Sequence, residues 1–469
     1  MKKRARIVII GIDGFDPFVI DSLRGCLPHL SPLYNDVSEI ITESTFPPDS
    51  ICAWASIFTG ENPAEHGLVE SIDYLSGKKS DDRGKASYLK GRTFWDIVGR
   101  MGKRVCIINP FIAYPAWEVN GIMVSGPVFE GGETGAYPEW VLKKYRFPPL
   151  GGMVDFPKKD ELRVFIDRTM RLTDEIGEVG LKIYKDEKPD LFFLTFLTLD
   201  RIKHFLWRYT DERDRDYPGE NDFKDVIRRF YVLFDRIIGN FIEDLYEDTV
   251  MLIISDHGHR RRCTKSLNLN EILRRHGYIK TSGGIRGMIE RMKVLTLRTL
   301  SHYDMEDWIY RIAKMIPNRK ALKKSTYLID ETQSTVSLSN LCGANPYGGI
   351  DVNDRERYEE VRNEIMEIIN NINIEHGNII KWVKRREEVY RGRNEDKLPD
   401  ILFELNEDYG VGRDFYTKPI TDNYTHKKIS GGHKREAVFM VHGSDRGQNV
   451  IKRPSNIMEI RDYILKILE

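Results

Sequence analysis

Thr249-Val250-Met251-Leu252-Ile253-Ile254-Ser255-Asp256-His257-Gly258 runs five apolar residues into an acid, an imidazole and a glycine. Continuous rather than alternating apolarity predicts a strand covered on both faces, as in a parallel sheet between helical layers. The same form recurs along the chain. Arg6–Ile12 runs into Asp13-Gly14, and Asp190–Leu199 runs into Asp200 with His204 four residues on. Ala437–Val441 is preceded by Ser430-Gly431-Gly432-His433, and Arg104–Ile108 is a fifth run. Helical spacing fills the intervals at Asp160–Lys185, Asp222–Tyr246 and Arg355–Ile372. Strand-then-helix alternation predicts a layered α/β fold. Ligands of open α/β sheets bind beyond the carboxyl ends of the strands, where these acids and imidazoles fall.

The chemistry of those strand ends points to cations. On a helix Asp200 and His204, at i and i+4, share one face, a usable metal-ligand spacing. Asp256 and His257 are adjacent, and on a loop leaving a strand both can turn toward one ion. Carboxylate with imidazole suits Zn²⁺, with Mn²⁺, Fe²⁺ or Co²⁺ as further options. A single Asp at a strand end is ordinarily a turn or cap residue. The weight rests on several such clusters falling at strand ends of one fold.

Composition sets the bounds. At 469 residues the chain is long enough for a large domain with insertions or for two domains. Charged residues are 31% of the total, above the roughly 25% of an average soluble protein. They balance at 72 basic and 72 acidic, which gives no global attraction to nucleic acid or an anionic membrane. The five cysteines (Cys26, Cys52, Cys106, Cys263, Cys342) are scattered, without a CxxC pair. Cys52 and Cys106 read as buried free thiols of a reducing compartment. No apolar run approaches a membrane span, and the basic N-terminus lacks a cleavage pattern, so a soluble, cytoplasmic protein is expected. Asp73–Gly91 is polar and turn-rich, hence a surface excursion. The stretch from Gly283 to about Tyr327 is basic and helical, including Met305–Met315, and reads as a cap whose return is marked by Pro317-Asn318-Arg319-Lys320 and Gly343-Ala344-Asn345. The expected division is a core of residues 1–282, an insertion of 283–345, and completion of the core by 346–469 with a small αβ subdomain.

One further segment decides the chemistry. It reads Thr45-Phe46-Pro47-Pro48-Asp49-Ser50-Ile51-Cys52-Ala53-Trp54, then Thr59-Gly60, then Pro63-Ala64-Glu65-His66-Gly67. These residues resemble the alkaline phosphatase superfamily, and within it the type I phosphodiesterase/nucleotide pyrophosphatase branch. In that superfamily the nucleophile opens a helix ten residues before the Gly of a Thr-Gly pair, and Pro-x-x-His-Gly follows. Counting back from Gly60 lands on Ser50 and excludes Thr45. Phe94-Trp95-Asp96, Leu267-Asn268-Leu269-Asn270, Gly348-Gly349-Ile350-Asp351 and Leu398-Pro399-Asp400 look like the same branch, in the family's order.

The resemblance implies a three-layer α/β/α alkaline-phosphatase-like core with a mixed, mostly parallel central sheet and a helical cap insertion. It implies two divalent metal ions, Zn²⁺ or alternatively Mn²⁺. One would be held by Asp13, Ser50, Asp256 and His257, the other by Asp200, His204 and His433. The activity it implies is hydrolysis of a small phosphate ester or nucleotide, through a covalent intermediate on Ser50. Asn109 is a candidate donor to a phosphate oxygen, with a plain turn before Pro110 as the alternative. His259 is expected to lie outside the ligand set or at the surface, His66 to end the nucleophile helix, and Arg260-Arg261-Arg262 to attract an anion or form a solvated face. Trp54 stands where a sulfatase would carry arginine. With Phe15 it is a candidate apolar slot for the second substituent of a diester. A phosphomonoesterase or phosphomutase of the same superfamily, and a metal-stabilised binding protein without turnover, are the competing readings. No nucleic-acid polymer or membrane partner is expected, and the sequence is silent on oligomeric state.

Overall fold

The computed structural model describes residues 5–69, 88–128, 132–152, 157–281, 285–303, 305, 308, 329–339, 341, 345–443 and 452–469. The polar excursion at Asp73 (to residue 87), the Pro317-Asn318-Arg319-Lys320 turn, Gly343-Ala344, Cys342 and Met305–Met315 beyond 305 and 308 lie outside the described residues.

Strands in chain order are β1 (Arg6–Ile12), β2 (Ile41–Glu43), β3 (Val105–Ile108), β4 (Gly121–Ser125), β5 (Gly135–Tyr137), β6 (Leu191–Phe196), β7 (Thr249–Ile254), β8 (Gly258–Arg261) and β9 (Lys265–Asn268). They continue with β10 (Val336–Ser339), β11 (Tyr347–Val352), β12 (Ile380–Arg385), β13 (Ile401–Leu405), β14 (Tyr409–Gly412), β15 (Ile420–Asp422), β16 (Gly431–Lys434) and β17 (Glu436–Gly443). The central sheet has eight strands in the order β2-β17-β7-β1-β6-β3-β4-β5. β7, β1, β6, β3 and β4 are mutually parallel, while β17 and β5 run antiparallel to their neighbours. The fold is α/β with a mixed, mostly parallel sheet.

The continuous apolarity of β1 has a direct structural cause. Side chains alternate across a strand, so Val8, Ile10 and Ile12 enter one core while Ile7 and Ile9 enter the other. The first core packs against the Leu162–Glu187, Thr198–Thr210 and Val226–Glu243 helices. The second packs against the Ser50–Thr59, Phe94–Arg100 and Ile460–Leu468 helices. Both faces are therefore covered, giving three layers.

A smaller antiparallel sheet, β10-β11-β13-β12, has its own apolar core with the Tyr358–His376 helix. The Ile285–His302 helix precedes it in the chain.

The strand expected over Asp190–Leu199 is shorter than the apolar run. β6 ends at Phe196, and a helix begins at Thr198. Asp200 therefore sits in the first helical turn, where an acid meets the positive end of the helix dipole. The expected apolar slot of Phe15 and Trp54 is also corrected. Both side chains are fully buried, Phe15 stacked on Tyr231 and Trp54 on Phe58. An apolar run cannot by itself distinguish a cleft wall from a core.

Candidate active site

β7, β1 and β6 are neighbours and parallel, so their carboxyl ends open on the same edge of the sheet. Asp256 follows β7, Asp13 follows β1, and Asp200 lies just past β6. Gly14 makes their approach possible. Its φ is +66°, and a Cβ there would lie 3.1 Å from Asp200 Oδ1. Its N–H donates to Asp256 Oδ1 at 3.1 Å. His433 arrives from the other side on β16, a strand paired with β8 in which His433 stands opposite His259.

The donor groups form two clusters. Asp13, Asp256 and His257 make the first, and Asp200, His204, His259 and His433 make the second. They adjoin where the His257 and His433 rings stack with centroids 3.8 Å apart. Ser50 stands at the first cluster, with Oγ 3.3 Å from Asp13 Oδ1 and 3.0 Å from His257 Nε2. Ser50 does not cap its helix. Asp49 is the N-cap and accepts from Ile51 N–H at 3.1 Å, which frees the Ser50 hydroxyl to point at the acids. Thr45 is turned away: its hydroxyl donates to the Pro47 carbonyl at 2.8 Å. Trp54, one turn along the helix, donates from Nε1 to Asp13 Oδ2 at 3.1 Å.

Three features of the residues fit divalent cations. First, three imidazoles are anchored through Nδ1 to backbone carbonyls: His204 to Gly431 O (2.9 Å), His257 to Gly258 O (2.9 Å) and His433 to Pro48 O (2.8 Å). A carbonyl only accepts, so Nδ1 carries the proton and each Nε2 presents a lone pair, the usual arrangement of a ligating histidine. Second, His204 Nε2 and His433 Nε2 lie 2.9 Å apart with Asp200 Oδ2 3.2 Å from the former. Facing lone pairs at that distance repel unless a cation lies between them. Third, the buried Asp200 Oδ1 and Asp256 Oδ2 have no hydrogen-bond partner among the described residues, which is costly for a carboxylate left uncompensated.

Electrostatics agree. Burial, and then repulsion by Asp256 and Asp200, raises the Asp13 carboxyl well above the usual range. Burial also raises Asp256, reinforced by Asp200. Burial pushes Asp200 the same way, but the imidazoles, His204 foremost, override it and hold this carboxyl well below the usual range. Burial, followed by His433, lowers His257. Behind Gly14 lies a group that the sequence reading passed over. Lys203 is fully buried, its ammonium 2.8 Å from Gly14 O and 2.7 Å from Tyr231 Oη, and burial lowers its pKa to about 7. Its position three residues after Asp200 on the same helix face was the available signal.

Other expectations fare differently. His66 does not end the nucleophile helix, which stops at Thr59 with Gly60 in the left-handed conformation. It closes the next short helix and is buried, with Nε2 2.9 Å from Ser56 Oγ and Nδ1 accepting from Leu68 N–H at 3.1 Å. The arginine run is tied down: Arg260 pairs with Glu407 and Arg261 with Asp408, and Arg262 donates to Ile429 O. Asn109 is buried at φ +56°, and its Nδ2 donates to Thr195 O at 3.0 Å. His259, expected outside the ligand set or at the surface, is not at the surface: it is fully buried, with Nδ1 3.2 Å from Asp200 Oδ1. His257 and His259 stand two apart where a strand starts, a spacing that puts both on one side.

A family model described as type I phosphodiesterase / nucleotide pyrophosphatase matches residues 7–445. No curated protein matches the chain. Among solved structures, phosphonoacetate hydrolase from Sinorhizobium meliloti 1021 in complex with phosphonoacetate is similar at TM-score 0.54 and 14% identity, covering 99% of this chain and 96% of that one. An inactive murine ectonucleotide pyrophosphatase/phosphodiesterase 5 in complex with AMP is similar at TM-score 0.50 and 12% identity, covering 99% and 95%. At these identities the likeness is one of fold.

Proposed function

The chain belongs to the type I phosphodiesterase / nucleotide pyrophosphatase family, and on that premise we propose that Ser50 is the nucleophile with which it hydrolyses a small phosphodiester or nucleotide. It is a phosphoester hydrolase of a metal-dependent family. The observation that carries the assignment of Ser50 is its hydroxyl, 3.3 Å from Asp13 Oδ1 and 3.0 Å from His257 Nε2 at the start of a helix.

Asp13, Ser50, Asp256 and His257 would hold one ion and Asp200, His204 and His433 the other. Bound there, the pair would supply Lewis-acid polarisation of the phosphoryl oxygens and a lowered pKa for the serine hydroxyl and for water. The imidazole-rich donor set favours Zn²⁺, with Mn²⁺ as the alternative. The chain's own contribution is orientation. Asp13 and His257 aim the Ser50 hydroxyl, Trp54 fixes Asp13, and the first turn of the Ser50–Thr59 helix turns free N–H groups toward an anionic phosphate. Ser50 Oγ gives up its proton and bonds to phosphorus as the leaving oxygen departs with the electron pair of the broken P–O bond. Water then loses a proton as it attacks phosphorus, the P–Oγ bond breaks, and Oγ regains a proton, restoring Ser50. Asn109 enters this reading as a phosphate donor with one amide hydrogen already committed to Thr195 O.

The proposed division places the catalytic core in residues 1–282 and 346–469, with 283–345 a cap that selects the second substituent. Cys26, Cys52, Cys106 and Cys263 are free thiols, the last three buried, which supports a cytoplasmic setting. Among the described residues no helix is long and apolar enough to cross a membrane.

Turnover of bis-p-nitrophenyl phosphate in Zn²⁺ or Mn²⁺ tests the reading. Ser50→Ala is expected to lower kcat by at least about 10³-fold, as loss of a nucleophile does, while metal content is largely spared. Near-normal rates in Ser50→Ala would remove Ser50 from the role.

A further inference from the structure

His259 differs from the other imidazoles of the second cluster in a way that assigns it a different task. The ring is fully buried and stacked on Trp207, with centroids 5.7 Å apart at 25°. Its backbone N–H is fixed by Asp16 Oδ2 at 3.0 Å, an acid that also takes Lys434 Nζ at 2.7 Å and caps the Pro17–Ser22 helix. Nδ1 stands 3.2 Å from Asp200 Oδ1, and a Cβ on Gly431 would collide with Nε2. This side chain is thus held on one face, at both ring nitrogens and at its base.

Ligating histidines ordinarily donate their second ring N–H to a carbonyl or carboxylate. His204, His257 and His433 all do so through Nδ1. Neither ring nitrogen of His259 makes a hydrogen bond among the described residues, nor does Asp200 Oδ1, although Nδ1 and Oδ1 stand 3.2 Å apart. Coordination through Nδ1 would put the proton on Nε2, facing Gly431 with nothing to accept it, and a buried unsatisfied donor costs about 1–3 kcal/mol. With the proton on Nδ1, the ring would instead offer it to Asp200 Oδ1, 3.2 Å away, an oxygen that also lies 3.5 Å from His433 Nε2. Asp200 Oδ2 then remains beside His204 Nε2, at 3.2 Å.

We propose that His259 is a positioning residue that holds Oδ1 of Asp200 through an Nδ1 proton, so that the carboxylate presents Oδ2 with His204 and His433 to a divalent cation. The proposal rests on the two-ion reading of the site and adds to it a residue outside the seven donors. Its consequence is selective: His259 sets the affinity of the Asp200/His204/His433 site and leaves that of the Asp13/Asp256/His257 site nearly unchanged.

The test measures Zn²⁺ affinity and stoichiometry of the full chain by competition with a chromophoric chelator, and imidazole count per zinc by X-ray absorption. His259→Ala is expected to weaken one of two Zn²⁺ ions about 10–100-fold, as loss of an outer hydrogen bond to a ligand does. The imidazole count at full loading should not change. His259→Asn places an amide N–H near the position of Nδ1 and should recover most of the affinity, a rescue that mere filling of space would not produce. Unchanged Zn²⁺ affinity in a folded His259→Ala would overturn the proposal, as would equal weakening in His259→Ala and His259→Asn. An imidazole count falling by one would make His259 a ligand and likewise overturn it. Fewer than two Zn²⁺ ions in the unaltered protein would instead overturn the two-ion reading, and this inference with it.

Discussion

At the scale of single residues, chemistry and position separate cleanly. Asp13, Asp200, Asp256 and His257 were legible because each stands where an apolar run ends, His204 through its spacing from Asp200 and His433 because it follows a glycine pair, and the fold gathers them into two clusters. Phe15 and Trp54 were not, because burial depends on which layer covers them. His66 offers a test independent of catalysis. Its unfolded imidazole titrates near 6.5, whereas burial holds the folded one down to about 3. Between those values the unfolded chain binds the extra proton, so this residue's penalty is absent above pH 6.5 and grows as the pH falls, by up to about 1.4 kcal/mol per unit. His66→Gln keeps a donor for Ser56 and an acceptor for Leu68 without titrating. Thermal melts across the window should show a shallower acid decline for His66→Gln, and parallel curves would contradict this.

At the scale of elements, the Ser50–Thr59 helix is the working part. Asp49 caps it, and Gly60 ends it in the left-handed conformation at φ +65°. Ser50 is thereby released from capping. Asp49→Ala is expected to cost about 0.5–2 kcal/mol of stability, the usual loss for an acidic N-cap. Because the helix start carries Ser50, kcat should fall more than KM rises. Melting temperature and steady-state kinetics on the same preparation check both, and unaltered kcat would detach the cap from the nucleophile. β8 was the element hidden from sequence reading. Its residues Gly258-His259-Arg260-Arg261 carry no apolar signal, and the strand exists because β16 pairs with it. Missing that strand is why the sequence left His259 open between a place beside the ligand set and the surface.

At the scale of the whole molecule, three parallel strands bring three carboxylates together, and the apolar cores on both faces hold them there. The layered fold was readable because both-face burial writes continuous apolarity into the strands; the antiparallel direction of β17 was not, since a buried strand looks alike in either sense. Gathering like charges is destabilising until cations compensate them. Ions that bind only the folded chain at about 100 times Kd add about 2.7 kcal/mol. Chelation should therefore lower the melting temperature and added Zn²⁺ restore it. A melt indifferent to chelator would contradict metal occupancy of these clusters.

The central claim is the covalent role of Ser50, and trapping the intermediate tests it most directly. The protein is mixed with bis-p-nitrophenyl phosphate in the presence of Zn²⁺, quenched in acid during turnover, digested and examined by peptide mass spectrometry. The account predicts a p-nitrophenylphosphoryl group on Ser50. An adduct on Thr45 or any other residue, with Ser50 unmodified, would contradict it.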